Sequence, residues 1–115
     1  MIKIYHNPRC KKSRAGLKYL EEHDLMPEII QYIKYPVTEE EFRDVLEKLG
    51  KEPEEIVRKQ EEFYKKNLKG KELSRDEWIE IMVQNPKLIQ RPIVVKDDKA
   101  VIADPPSNIE KLLDS

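Results

Sequence analysis

The chain has 115 residues, 38% of them apolar and 39% charged, with a formal net charge of −1. That balance excludes the overall basic footprint of a non-specific nucleic-acid or anionic-membrane binder, and the apolar content supports a single domain, 1–115, around one modest core. A lone cysteine rules out an internal disulfide, and no apolar run approaches the ~18 residues of a bilayer span or forms a signal-peptide h-region. A cytoplasmic protein with no membrane and no nucleic-acid partner is expected.

Ile2 and Ile4 alternate with polar neighbours, which predicts a first strand over residues 2–5. A helix then runs from Cys10 to about His23, with Leu17, Leu20 and Ala15 as its buried stripe. Ile29, Ile30, Tyr32 and Ile33 form a second strand, closed by Tyr35-Pro36. A strand-helix-strand unit this short makes the two strands parallel and the crossover right-handed.

Thr38 and Glu41 form a capping box for a helix whose Phe42, Val45, Leu46 and Leu49 share one face, and Gly50 ends it. A less regular helical stretch opens at Pro53, and residues 59–73 read as a solvated helix or loop pinned by Phe63, Tyr64 and Leu68. Ser74 and Glu77 make another capping box, followed by Trp78, Ile81 and Met82 as a buried face. Arg91-Pro92 precedes the strand Ile93-Val94-Val95, Asp97-Asp98-Lys99 supplies a turn, and residues 100–103 return antiparallel. Pro105-Pro106-Ser107 opens the last helix, which carries Ile109, Leu112 and Leu113. This order is the α/β thioredoxin-like (glutaredoxin-like) plan, a mixed four-stranded sheet with a helical block of about 37–88 inserted between the second and third strands.

Cys10 is the candidate for chemistry. It falls where the first strand gives way to a helix, whose unpaired N–H groups favour thiolate over thiol, and Arg9, Lys11, Lys12 and Arg14 add positive charge nearby. Cys10-Lys-Lys-Ser13 has the C-x-x-S spacing, which lets the Ser13 hydroxyl reach back to the sulfur without competing as a resolving thiol. Arg91-Pro92 stands at the position where this plan characteristically carries a cis proline, bringing the Arg91 guanidinium toward the thiol. With no second cysteine, any oxidised Cys10 must be resolved by a thiol from another molecule.

His6-Asn7-Pro8-x-Cys10, Arg58 and Arg91-Pro92-Ile93-Val94-Val95 together resemble the arsenate reductase (ArsC) family of the glutaredoxin-linked type, over essentially the whole chain. The resemblance implies an oxidoreductase in which Cys10 attacks arsenate. It makes Arg58 and Arg91 oxyanion ligands, lets His6 and Ser13 tune the thiolate, and adds Asn7 and Pro92 to the substrate site. It further implies glutathione as co-substrate, with glutaredoxin or glutathione as the external thiol and neither a metal nor a bound cofactor. The family pattern has a third arginine where this chain reads Ala103-Asp104-Pro105. A carboxylate at ~4 Å from an anion costs on the order of 1–4 kcal/mol, so weak turnover of arsenate is expected. Two other readings belong to the same fold: a glutathione-dependent thiol reductase without arsenate activity, and an Spx-type regulator that binds RNA polymerase. The regulators typically carry C-x-x-C and a longer C-terminal tail.

Overall fold

The computed structural model describes residues 2–113. They form two compact units, one of residues 2–35 with 91–113 and one of Pro36–Gln90. The helical insertion expected at 37–88 is therefore a unit of its own, with bounds two residues wider at its end and one at its start.

The first unit holds the sheet. Strands β1 (Ile2–Tyr5), β2 (Glu28–Ile30), β3 (Ile93–Lys96) and β4 (Lys99–Ile102) lie in the order β2-β1-β3-β4. β1 runs parallel to β2 and antiparallel to β3, and β3 runs antiparallel to β4. The register sets Ile4 opposite Val94 and Val94 opposite Val101, so these side chains share one face. That face packs against Leu20 of helix α1 (Lys11–Glu22) and Leu112 of the short last helix (Glu110–Leu113), with Ile109 and Ala103 completing the cluster. These residues are close to fully buried, and the transfer of their apolar surface from water is what fastens the helix bearing Cys10 to the sheet.

Two sequence expectations need correction here. Ala15 is exposed, and the buried face of α1 is Ser13, Gly16 and Leu20. Gly16 is there because helix and proline meet closely: a Cβ at this position would stand 2.7 Å from Cγ of Pro92. The second strand is also shorter than its apolar run. After Ile30 the backbone turns, the Tyr32 N–H bonding to the Ile30 carbonyl at 3.1 Å and the Tyr35 N–H to the Gln31 carbonyl at 2.9 Å. Tyr32 thus leaves the ladder, yet it is only 2% exposed. Hydrophobicity marked it correctly as buried, but not as a strand residue.

In the second unit, α2 (Glu39–Leu49) is capped by Thr38, whose hydroxyl accepts the Glu41 N–H at 3.0 Å, and stopped by Gly50 at φ 68°. A 3₁₀ turn, Pro53–Ile56, leads to a bridge between Val57 and Ile89. Helix α3 (Glu62–Asn67) is short, and Leu68 rather than Phe63 is the buried side chain of this charged stretch. Helix α4 (Arg75–Gln84) opens on a complete Ser74/Glu77 capping box. Its buried residues are Trp78, Ile79 and Met82, with Ile81 half-buried, because the helix buries two adjacent rows rather than the single stripe read from the sequence.

Candidate active site

Cys10 is the N-cap residue of α1, in extended conformation at φ −93° and ψ 123°. The β1-to-α1 loop is fixed by its own hydrogen bonds. The Cys10 N–H donates to the Asn7 carbonyl at 2.9 Å, the Arg9 N–H to the Asn7 Oδ1 at 3.1 Å, and the Arg14 guanidinium to the Pro8 carbonyl at 3.0 Å. Asn7 therefore shapes the loop from within.

The thiol is partly buried, and burial alone pushes its pKa up. Opposing causes win, and the pKa is lowered. The largest is a hydrogen bond from Arg91, followed by the Ser13 N–H, the charge of Arg91 and the Lys12 N–H. The expectation that Arg9, Lys11, Lys12 and Arg14 supply the positive charge is not what the geometry delivers. All four are exposed, Arg14 is spent on Pro8, and Lys12 is paired with Asp104. Exposed cations are screened by water, whereas Arg91 is half-buried and bonds the sulfur directly. Burial disfavours the Arg91 cation, but its hydrogen bond to Cys10, with further contributions from Tyr32 and the thiolate charge, raises its pKa all the same.

Ser13 is fully buried and acts differently from its sequence assignment. Its Oγ lies 2.6 Å from Nδ1 of His6 and accepts the Asn7 N–H at 2.9 Å. The hydroxyl is thus engaged with His6 and Asn7, and Ser13 serves the sulfur through its backbone N–H. His6 is buried at 5% exposure. Burial first, then the charge of Arg14, lowers its pKa against an opposing hydrogen bond to the Ser13 backbone. His6, Asn7 and Ser13 form one buried hydrogen-bonded knot beneath the thiol loop.

The Arg91–Pro92 peptide is cis, as the sequence pattern predicts, and Pro92 is buried against Gly16. A second cis bond, Asp104–Pro105, was not anticipated. The Asp104 carboxylate takes a 3.0 Å ion pair with Lys12, so it is not the bare negative charge assumed from sequence. Arg58 belongs to the other unit, where its guanidinium pairs with Glu61 at 3.3 Å and its N–H bonds to the Leu88 carbonyl at 2.6 Å. Sequence reading missed Tyr32 and Gly16. A glycine in an otherwise amphipathic helix one turn beyond a C-x-x-S was the available signal for the second. Among the described residues no group of His, Cys, Asp and Glu is arranged to hold a metal ion. No helix among them is long and apolar enough to cross a membrane.

Comparison with known proteins decides the family. The ArsC family model matches residues 5–112. The chain belongs to the ArsC family. It is 43% identical over 114 residues to the uncharacterized protein YfgD of Escherichia coli (strain K12), covering 97% of this chain and 96% of that one. An arsenate reductase of Neisseria meningitidis serogroup A is 38% identical over 114 residues, 97% of each chain. The solved arsenate reductase structure from Vibrio cholerae superposes with a TM-score of 0.91 at 38% identity, over 96% of this chain and 95% of that one. The thioredoxin-like plan with an inserted helical unit is thus the fold of an ArsC-family enzyme.

Proposed function

We propose that this chain is a thiol-dependent oxidoreductase that reduces arsenate, with Cys10 as nucleophile and glutathione, recycled by glutaredoxin, as the external thiol. The observation that carries the reading is the Arg91 guanidinium bonded to the Cys10 sulfur at the start of α1. One group both holds the thiol as thiolate and offers its remaining N–H donors to an anion approaching it. The arsenate reductase relatives support the substrate class.

The thiolate attacks arsenic, a sulfur–arsenic bond forms, and an arsenate oxygen leaves as water after taking up protons. Glutathione then attacks. Arsenic(V) gains two electrons and departs as arsenic(III), while the two sulfurs lose one electron each and join as a Cys10–glutathione disulfide. Since Cys10 is the only cysteine, no internal thiol resolves that disulfide, and a further thiol must, which is the role of glutaredoxin or a second glutathione. In this reading Arg91 binds the oxyanion, with Asn7 and Pro92 shaping the substrate site. The helix N-terminus adds donors, and His6 and Ser13 hold the loop that carries the nucleophile.

The test is arsenate-dependent NADPH consumption in the presence of glutathione, glutaredoxin and glutathione reductase. Turnover in the native chain and none in Cys10→Ser is the expected result, because a serine hydroxyl at this site has no comparable means of ionising. No turnover by the native chain, with capture of RNA polymerase instead, would replace the enzyme reading by a regulatory one.

A further inference from the structure

With a single cysteine the chain depends on a thiol from outside, so the surface near Cys10 has to seat the carrier of that thiol. That surface carries a pair of opposite charges. Lys12, two residues beyond Cys10 in the first turn of α1, holds its ammonium 3.0 Å from the Asp104 carboxylate. The backbone around Asp104 is fixed in place. The Ala103 N–H donates to the Pro92 carbonyl at 2.9 Å, and the Asn108 side-chain amide donates to the Ile102 carbonyl at 3.0 Å and the Asp104 carbonyl at 3.4 Å. Ala103 also packs on α1, its Cβ 3.6 Å from where a Cβ on Gly16 would stand. The carboxylate is thus anchored beside α1 and the proline that follows Arg91.

Both side chains are exposed, and an exposed ion pair contributes little, so a ligand that satisfies both charges opens it at small cost. A bare oxyanion satisfies only the lysine and is repelled by the carboxylate. The complementary ligand carries an ammonium and a carboxylate on one carbon, and the γ-glutamyl end of glutathione is such a group. One amide link joins it to the glutathione cysteine, a span comparable to the two residues, at most about 7 Å, that separate Cys10 from Lys12.

We propose that Lys12 and Asp104 form the binding site for the γ-glutamyl group of glutathione. The Lys12 ammonium takes its α-carboxylate and the Asp104 carboxylate its α-ammonium, which brings the glutathione sulfur to Cys10. The proposal rests on the reading of Cys10 as the reactive thiol and glutathione as its external partner, and is independent of arsenate. The competing account is a surface ion pair whose carboxylate acts on every ligand as a negative charge only. The two differ in sign, because glutathione is a net anion: Asp104→Asn strengthens its binding in the competing account and weakens it in ours.

The experiment is thiol–disulfide exchange, in which the Cys10 thiolate attacks one sulfur of oxidised glutathione, forms the mixed disulfide and releases the other half as glutathione thiolate. Rates are measured in the native chain, Asp104→Asn and Lys12→Gln, each divided by the same chain's rate of alkylation by uncharged iodoacetamide, which removes any change in thiolate reactivity. The second probe is oxidised glutathione acetylated on both α-amino groups. Asp104→Asn is expected to slow exchange with oxidised glutathione about fivefold or more and to speed exchange with the acetylated form, which has no ammonium to lose; Lys12→Gln is expected to slow both. Exchange with oxidised glutathione that is unchanged or faster in Asp104→Asn would overturn the proposal while leaving Cys10 as the reactive thiol. No exchange by a native chain whose Cys10 alkylates only as an ordinary cysteine would overturn the Cys10 reading and the proposal with it.

Discussion

At Cys10 the largest single influence, burial, works against the thiolate, and a combination of one guanidinium and two backbone N–H groups reverses it. Alkylation of the native chain should therefore titrate below the ~8.5 of an ordinary cysteine, and Arg91→Ala should return the midpoint toward that value. A loss of charge at Lys11 should do far less, since that side chain is exposed. His6 gives a second pH dependence with the opposite practical consequence. Its folded-state pKa is lowered, so as pH falls the unfolded chain takes up a proton at about 6.5 before the folded chain does. Across that window the unfolded state binds more protons, and stability declines as pH falls while remaining flat above it. The urea midpoint should drop from about pH 7 to about pH 5.5, and His6→Gln should show a smaller drop over the same range.

At the scale of elements, helix α1 illustrates what a sequence encodes openly and what it hides. The order of elements along the chain, the bounds of α1, the Ser74/Glu77 box and the Gly50 stop were legible because alternation, i to i+4 spacing and capping chemistry act over a few residues. The thiol was legible for the same reason, being a feature of one junction. Arg91's place was legible only through the fold plan and the family resemblance, because residues 81 positions apart are brought together by β1–β3 pairing, which no local pattern reports. Tyr32 and Gly16 were legible only in part, as a buried aromatic and as a glycine in an amphipathic helix, since what places each lies across the unit rather than in its own neighbourhood. Gly16 gives the corresponding prediction. In an isolated helix, Gly→Ala is stabilising by up to about 1 kcal/mol. Here the new methyl group would meet the Pro92 ring at 2.7 Å, a rigid neighbour rather than the end of a flexible side chain. Gly16→Ala is therefore expected to lower the melting temperature despite its better propensity. Because Pro92 adjoins Arg91, it should also raise the Cys10 alkylation midpoint. A more stable variant with an unchanged midpoint would show that α1 and Pro92 separate freely.

For the whole molecule, 22 basic and 23 acidic residues leave no field of either sign to draw in a substrate anion. The exposed ion pairs, such as Arg75 with Glu52 and Lys66 with Glu62, contribute little individually and cancel at a distance. Anion capture must then depend on the few charges beside the thiol, and Asp104 is the negative one placed there by its pair with Lys12, in the first turn of α1. The pair both adds a carboxylate and occupies a lysine otherwise available to an oxyanion. Asp104→Asn removes the first effect and frees Lys12, whereas Asp104→Arg adds a second cation. Catalytic efficiency on arsenate is expected to rise modestly in Asp104→Asn and at least about tenfold in Asp104→Arg, which corresponds to about 1.4 kcal/mol, within the range for one charge contact near a protein surface. The gain should appear mainly in KM and shrink as salt is raised, since both groups of the pair are substantially exposed, at 63% and 40%. A substitution with no effect on KM at any salt concentration would place the Asp104 carboxylate outside the reach of the bound anion, and leave Arg91 to hold it without opposition from this side.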